Sequence, residues 1–276
     1  MTAVAPPQVP HPRLSVNAIC TRGWPLERDL RFWQSNRYRQ VGLVSYKLDD
    51  AAAAADAVRL AGLTVSNVAI AQPFTLGQPE NWAAQRERIG VLLEQARALD
   101  AGCVYMNSGS SASRMTVDES IEAFCAAVAP VAARARALGV RLALEPSAQA
   151  NHDRGCVHSL RDALSVADQT GLDVVVDLQT CWLERGLAAM VSEHLDQVAL
   201  VQVSDFVVGT EIRLSRSVPG DGDIPLRRII GNLLEAGYPG AFDLEILGPR
   251  IEEEGYDSAV PRGAQWLSDC LTALGA

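Results

Sequence analysis

Hydrophobic and polar positions alternate in blocks along this chain. Short apolar runs at 14–20 (LSVNAIC), 41–46 (VGLVSY), 63–70 (LTVSNVAI), 102–109 (GCVYMNSG), 140–147 (VRLALEPS), 172–180 (LDVVVDLQT), 198–204 (VALVQVS) and 241–247 (AFDLEIL) read as strands. Between them lie longer amphipathic stretches at about 26–39, 51–61, 80–99, 118–138, 160–170, 187–194 and 226–236, with a last one near 264–274. Strands that alternate with helices of this length pair in parallel, and this many repeats predict closure into a single (β/α)8 TIM barrel over residues 13–276. Glycine-containing returns such as LAGLTV, ALGVRL and QTGLDV supply the left-handed cap that sends each helix back to the next strand. Residues 1–12 carry Pro6, Pro7, Pro10 and Pro12 and read as a flexible N-terminal arm.

Composition narrows the class of partner. The 276 residues suit one barrel, which takes about 250. A formal net charge of −9, without any Lys/Arg run, argues against nucleic acid. No apolar stretch approaches the ~18 residues of a membrane span. The six cysteines are scattered with no CxxC pair, and no secretory segment precedes them, so the expected compartment is the reducing cytoplasm.

Active sites of such barrels lie at the C-terminal ends of the strands. The polar residues there are Lys47, Asn107, Glu145, Asp177, Gln202 and Glu245. Period two puts Asp243 on the face of Glu245, and Val175 on that of Asp177. One acid at a strand end more often caps a loop, but Glu145, Asp177, Gln202 and Glu245 on successive strands predict a metal site. All four offer oxygen, which suits one hard divalent ion, manganese first, with Mg, Co, Fe or Zn as alternatives. His152, in the loop after Glu145, is expected to contact substrate, and Asp205 to orient Gln202 from behind. Lys47, the lone lysine, is weighed evenly between a mouth residue and an exposed turn residue. Trp24 and Trp182 fall in loops on the catalytic side, where they would wall a pocket.

Five segments carry a resemblance: LALEPS (142–147), VVVDLQT (174–180), LVQVSD (200–205), SVPGDGDIP (217–225) and GYPGAFDLEI (237–246). Together they resemble the sugar-phosphate isomerase/epimerase family of xylose-isomerase-like barrels, in the AP endonuclease family 2 superfamily. The resemblance implies metal ligands at Glu145, Asp177, Gln202 and Glu245; the family's epimerases carry His where Gln202 stands, whereas its hydroxypyruvate isomerases carry Gln. It implies a substrate-binding Arg216, three residues before Pro219, with Arg213 as a second candidate, and it places Thr180 where the epimerases often have His. Glu145 and Glu245 would then also be the catalytic base and acid, moving a proton next to the carbonyl of a small hydroxy-carbonyl substrate, sugar-like or keto-acid-like. Barrels of this family form homodimers or homotetramers.

Three other readings are weighed against this isomerase or epimerase. A lyase of the inosose-dehydratase type shares the first proton transfer and differs in the group expelled. DNA repair of the endonuclease IV type needs a His-rich zinc site, which four histidines and a net charge of −9 oppose. A non-catalytic barrel would keep the fold without affinity for Mn²⁺.

Overall fold

The structure is a computed structural model and describes residues 9–48, 51–110, 115–151, 153–210 and 214–276. His152 and Arg213 lie outside the described residues. The order of elements is β1 (Leu14–Asn17), α1 (Leu26–Ser35), β2 (Gln40–Val44), α2 (Ala51–Leu60), β3 (Thr64–Ala69), α3 (Trp82–Ala98), β4 (Cys103–Met106) and α4 (Val117–Leu138). It continues with β5 (Leu142–Leu144), α5 (Leu160–Thr170), β6 (Asp173–Asp177), α6 (Leu178–Cys181), α7 (Leu187–Glu193) and β7 (Val198–Val203). The last elements are α8 (Leu226–Glu235), β8 (Phe242–Leu244), α9 (Pro249–Glu254) and α10 (Tyr256–Ala273). The strands form a closed parallel barrel in chain order, with β1 pairing β8 through Val16 and Leu244.

Local chemistry explains where the elements end. Thr116 and Glu119 form a reciprocal capping box at the start of α4, and Gly139 closes that helix in the left-handed conformation. The outer faces of the strands and the inner faces of the helices share one apolar layer, in which Trp33, Ile89, Leu93, Phe124, Leu160 and Leu267 are fully buried. Three helices depart from the sequence pattern, among them the short α9, where the pattern marks no helix. α10 begins at Tyr256 rather than near 264 and carries Pro261, which reads as a breaker, within its second turn. α6 is a single turn capped by the Asp177 side chain, too short to leave a periodic signal. Among the described residues no helix is long and apolar enough to cross a membrane. Residues 11 and 12 of the expected arm are tied down: the His11 ring meets the Ala276 carbonyl at 3.1 Å, and the Pro12 carbonyl accepts from Gln40 at 2.7 Å.

The barrel interior is partly polar. Ser15 Oγ donates to Asp243 Oδ1 at 2.5 Å, and Asn17 Nδ2 to Asp243 Oδ2 at 2.7 Å and to Asn67 Oδ1 at 3.2 Å. Burial pushes the Asp243 carboxyl up to about 7, against the pull of the hydrogen bonds from Asn17 and Ser15. Gly42 makes room for this cluster, because a Cβ there would lie 2.6 Å from Asn17 Nδ2 and 2.7 Å from Asn67 Oδ1. Register then carries order upward to the mouth: Asp177 pairs with Gln202 across β6 and β7, and Gln202 with Asp243 across β7 and β8.

Candidate active site

A cavity of about 190 Å³ opens at the C-terminal ends of the strands and is lined by Glu145, Asp177 and Glu245 among others. Each acid is aimed by its strand. The Glu145 amide bonds to the Met106 carbonyl at 2.8 Å, continuing the pairing of β5 with β4, and the Glu245 amide bonds to the Val203 carbonyl at 3.0 Å. Asn107 Nδ2 donates to Glu145 Oε2 at 3.0 Å and to the Glu145 carbonyl at 3.2 Å. Tyr105 donates its hydroxyl to Glu245 Oε2 at 3.1 Å, and the Gln202 amide Nε2 donates to the same oxygen.

Arg216 joins the acids. Its Nη1 donates to Asp177 Oδ1 at 3.0 Å and its Nη2 to Asp177 Oδ2 at 2.9 Å, a bidentate pair, while Nη2 also lies 3.4 Å from Glu245 Oε1. A further bond from Nη1 to Ser204 Oγ, 2.8 Å long, fixes the guanidinium plane. Burial opposes the Arg216 charge, but Asp177 and Glu245 outweigh it and hold its pKa above the ordinary arginine value. Thr180 donates to Asp177 Oδ2 at 2.9 Å, and the Gln179 amide to Asp177 Oδ1 at 3.1 Å.

The glutamates are buried more deeply than acids ordinarily are. Burial, then the charges of Glu245 and Asp177, hold the Glu145 carboxyl well above the usual range; Arg216 and Arg154 oppose that rise. Glu245 is raised by burial, with Arg216 the main opposing charge. A buried carboxyl with raised proton affinity is suited to take up a proton and return it.

The donor set fits a hard divalent ion in its chemistry: three carboxylates converge, and Gln202 Oε1 is buried with no hydrogen-bond partner. As arranged, no group of three or more His, Cys, Asp and Glu side chains among the described residues is disposed around one ion. The Arg216 guanidinium holds the place between Asp177 and Glu245.

A family model described as xylose isomerase-like TIM barrel matches residues 29–270. The chain belongs to this family. Solved structures share the fold. A protein from Sinorhizobium meliloti 1021 is 21% identical with a TM-score of 0.81, the match covering 95% of this chain and 98% of that one. The IOLI protein crystallised with a zinc atom is 14% identical, TM-score 0.80, over 95% and 99% of the two chains. D-psicose 3-epimerase with D-tagatose, from Clostridium cellulolyticum H10, is 14% identical, TM-score 0.76, over 95% and 99%. No curated protein sequence matches significantly.

In this xylose isomerase-like barrel the structure brings Asn107, Glu145, Asp177, Thr180, Arg216 and Glu245 to one cavity, with Gln202 touching Glu245 just beneath it. Three expectations need correction. Lys47 is turned away from the cavity: its ammonium donates to the carbonyls of Ala18 (2.9 Å) and Thr21 (3.0 Å) and to Asp29 Oδ2 (2.6 Å), clamping the segment after β1 onto α1. Asp205 does not orient Gln202; it accepts the backbone N–H groups of Phe206 (2.9 Å), Gly220 (2.9 Å) and Ile224 (3.1 Å), and so shapes the loop that delivers Arg216. Trp24 packs edge-on against Phe32 and Tyr256, and Trp182 borders a separate cleft with α7 and α8; neither walls the cavity. Tyr105, Ser147 and Arg154 do line it and were missed. Period two from Asn107 was the available signal for Tyr105.

Proposed function

We propose that this chain is a divalent-metal-dependent isomerase or epimerase that moves a proton next to the carbonyl of a small hydroxy-carbonyl compound. The observation that carries this reading is the pair of buried glutamates, Glu145 from the end of β5 and Glu245 from the end of β8, on one cavity. The fold shared with D-psicose 3-epimerase and with the zinc-binding IOLI protein supports it.

Glu145, Asp177, Gln202 and Glu245 would hold the ion, and a divalent cation there supplies Lewis-acid polarisation of the substrate carbonyl. The chain does the rest. One glutamate takes the proton from carbon and the other returns one, each held at a fixed oxygen by Asn107 or Tyr105. Six free cysteines suit the cytoplasm, and a homodimer or homotetramer belongs to the same proposal. Nucleic acid and membrane have no part in it.

The test has two parts. Elemental analysis of purified protein should find about one equivalent of divalent metal, reduced in Gln202→Ala and Glu245→Gln. Hydroxy-carbonyl substrates should take up deuterium from D₂O with wild type and not with Glu145→Gln. No metal bound after incubation with Mn²⁺ would sink the proposal. Loss of water from the substrate would instead assign the lyase outcome.

A further inference from the structure

A second cleft adjoins the catalytic cavity. It has a volume of about 740 Å³ and is lined by the N-terminal half of α1, by α2 and by the turn Ser45–Lys47 that follows β2. Arg22 and Tyr46 line both spaces and so form the sill between them. The cavity that holds the glutamates measures only about 190 Å³, below the roughly 300–1,000 Å³ of ordinary ligand pockets. For a substrate that outgrows it, the adjoining room lies across that sill.

The sill is held from several sides. Ser45 Oγ accepts the Ala71 amide at 3.1 Å, which ties the turn to the end of β3, and the Lys47 ammonium binds its other end to the Ala18 carbonyl and to Asp29 of α1. Tyr46, between these two anchors, keeps 45% of its surface exposed. Arg22 is paired with Glu252 of α9. Beyond the sill, Trp24 is fixed edge-on by Phe32 and Tyr256, with ring centroids 5.3 and 5.6 Å away, and the Arg28 guanidinium lies 3.7 Å from the Trp24 ring centroid. Leu26 and Leu30 from α1 face Ala54 and Ala57 from α2 across the cleft. Its polar side chains are committed or open to water. The Lys47 ammonium already has three acceptors, Glu27 is exposed, and among the described residues no side chain of the lining has a buried polar atom without a partner. A hydroxyl placed there would lose water without gaining a waiting partner, whereas an apolar group gains by leaving water.

We infer that the cleft between α1 and α2 is a second substrate subsite, and that it takes an aryl group carried by the hydroxy-carbonyl compound that reacts at the glutamates. The reacting carbon stays in the small cavity, and the ring crosses between Arg22 and Tyr46 to lie beside Trp24. Two aromatic side chains held in place favour a ring over a flexible alkyl chain, because edge-to-face and offset contacts add to the area buried. The inference deepens the proposed function and rests on its reading of the cavity.

The test is calorimetric titration of the full chain, with Mn²⁺ added, using 1-hydroxy-4-phenylbutan-2-one and 1-hydroxybutan-2-one, which lacks only the phenyl ring. Wild type should bind the phenyl compound about tenfold or more tightly. Ala57→Trp, which fills the cleft from α2, should erase that preference and leave the affinity for 1-hydroxybutan-2-one unchanged. Leu26→Asp puts a charge into the cleft at the first turn of α1, where an acid suits the helix, and should do the same if the tryptophan variant folds poorly. Equal affinities in wild type, no binding of the phenyl compound, or a preference that persists in both variants would each overturn the inference. Deuterium exchange separates the two claims. A phenyl preference that the variants erase, with no exchange catalysed on either ketone, would sink the enzyme reading and leave the aryl subsite. Catalysed exchange on 1-hydroxybutan-2-one, with no phenyl preference, would do the reverse.

Discussion

Arg216 grips Asp177 through both terminal guanidinium nitrogens, at 3.0 and 2.9 Å, deep in the mouth of the barrel. Two other buried carboxylates, Glu145 and Glu245, share its charge. Without metal this guanidinium is the counterion of the site. Replacing one partner of a buried charge pair costs about 3–5 kcal/mol, because the remaining charge is stranded. Arg216→Met is therefore expected to lower the stability of metal-depleted protein by about that amount. Added Mn²⁺ should recover a larger part of the loss in the variant than it adds to wild type. Urea denaturation with and without the ion reads both effects, and an unchanged midpoint in the metal-free variant would remove Arg216 from this role.

Tyr105 is held protonated by burial, its pKa well above the ordinary phenol value, so it is a permanent donor to Glu245. Tyr105→Phe should cost about 1–2 kcal/mol of stability. Because the phenol fixes one oxygen of a proton carrier, deuterium exchange should fall by about tenfold while the protein stays folded. Exchange at the wild-type rate would show that Gln202 alone positions Glu245.

The Lys47–Asp29 pair gives a pH signature remote from the acids of the cavity. Burial raises the Asp29 carboxyl above its ordinary value, and Lys47 restrains that rise. An acid whose folded pKa is raised adds stability below its unfolded value, about 3.9, and loses it as pH climbs through the folded one. Removing the ammonium raises Asp29 further. Lys47→Met should therefore be little destabilised at pH 4, where Asp29 takes a proton, and by about 3–5 kcal/mol at pH 8. Denaturation at the two pH values is the check; an equal deficit at both would mean the lysine acts through packing alone.

The order of strands and helices was legible because period two and period 3.6 are local properties of the chain. The same reasoning reached Glu145, Asp177 and Glu245, since a barrel sends the residue at each strand's C-terminal end to one mouth. Asp243 was likewise placed on the face of Glu245, although its partners Ser15 and Asn17 lie 228 and 226 residues away. Lys47 was ambiguous for the opposite reason: its position past β2 allowed both the mouth and an exposed turn, and the structure gives neither, because the packing of Asp29 against Thr21 and Lys47 buries the ammonium on α1.

The sequence by itself thus determined the barrel, its polarity and the acids at its mouth, all of which follow from spacing along the chain. Only the tertiary structure decided which charges meet. Arg216 reaches Asp177 because Asp205 gathers three backbone amides and folds the loop between β7 and α8 inward. Arg154 is left facing the cavity because Ser108 and Gly109 pin the loop after β5. Contacts between residues far apart in the chain depend on loop closure and burial, and neither leaves a periodic trace in the sequence.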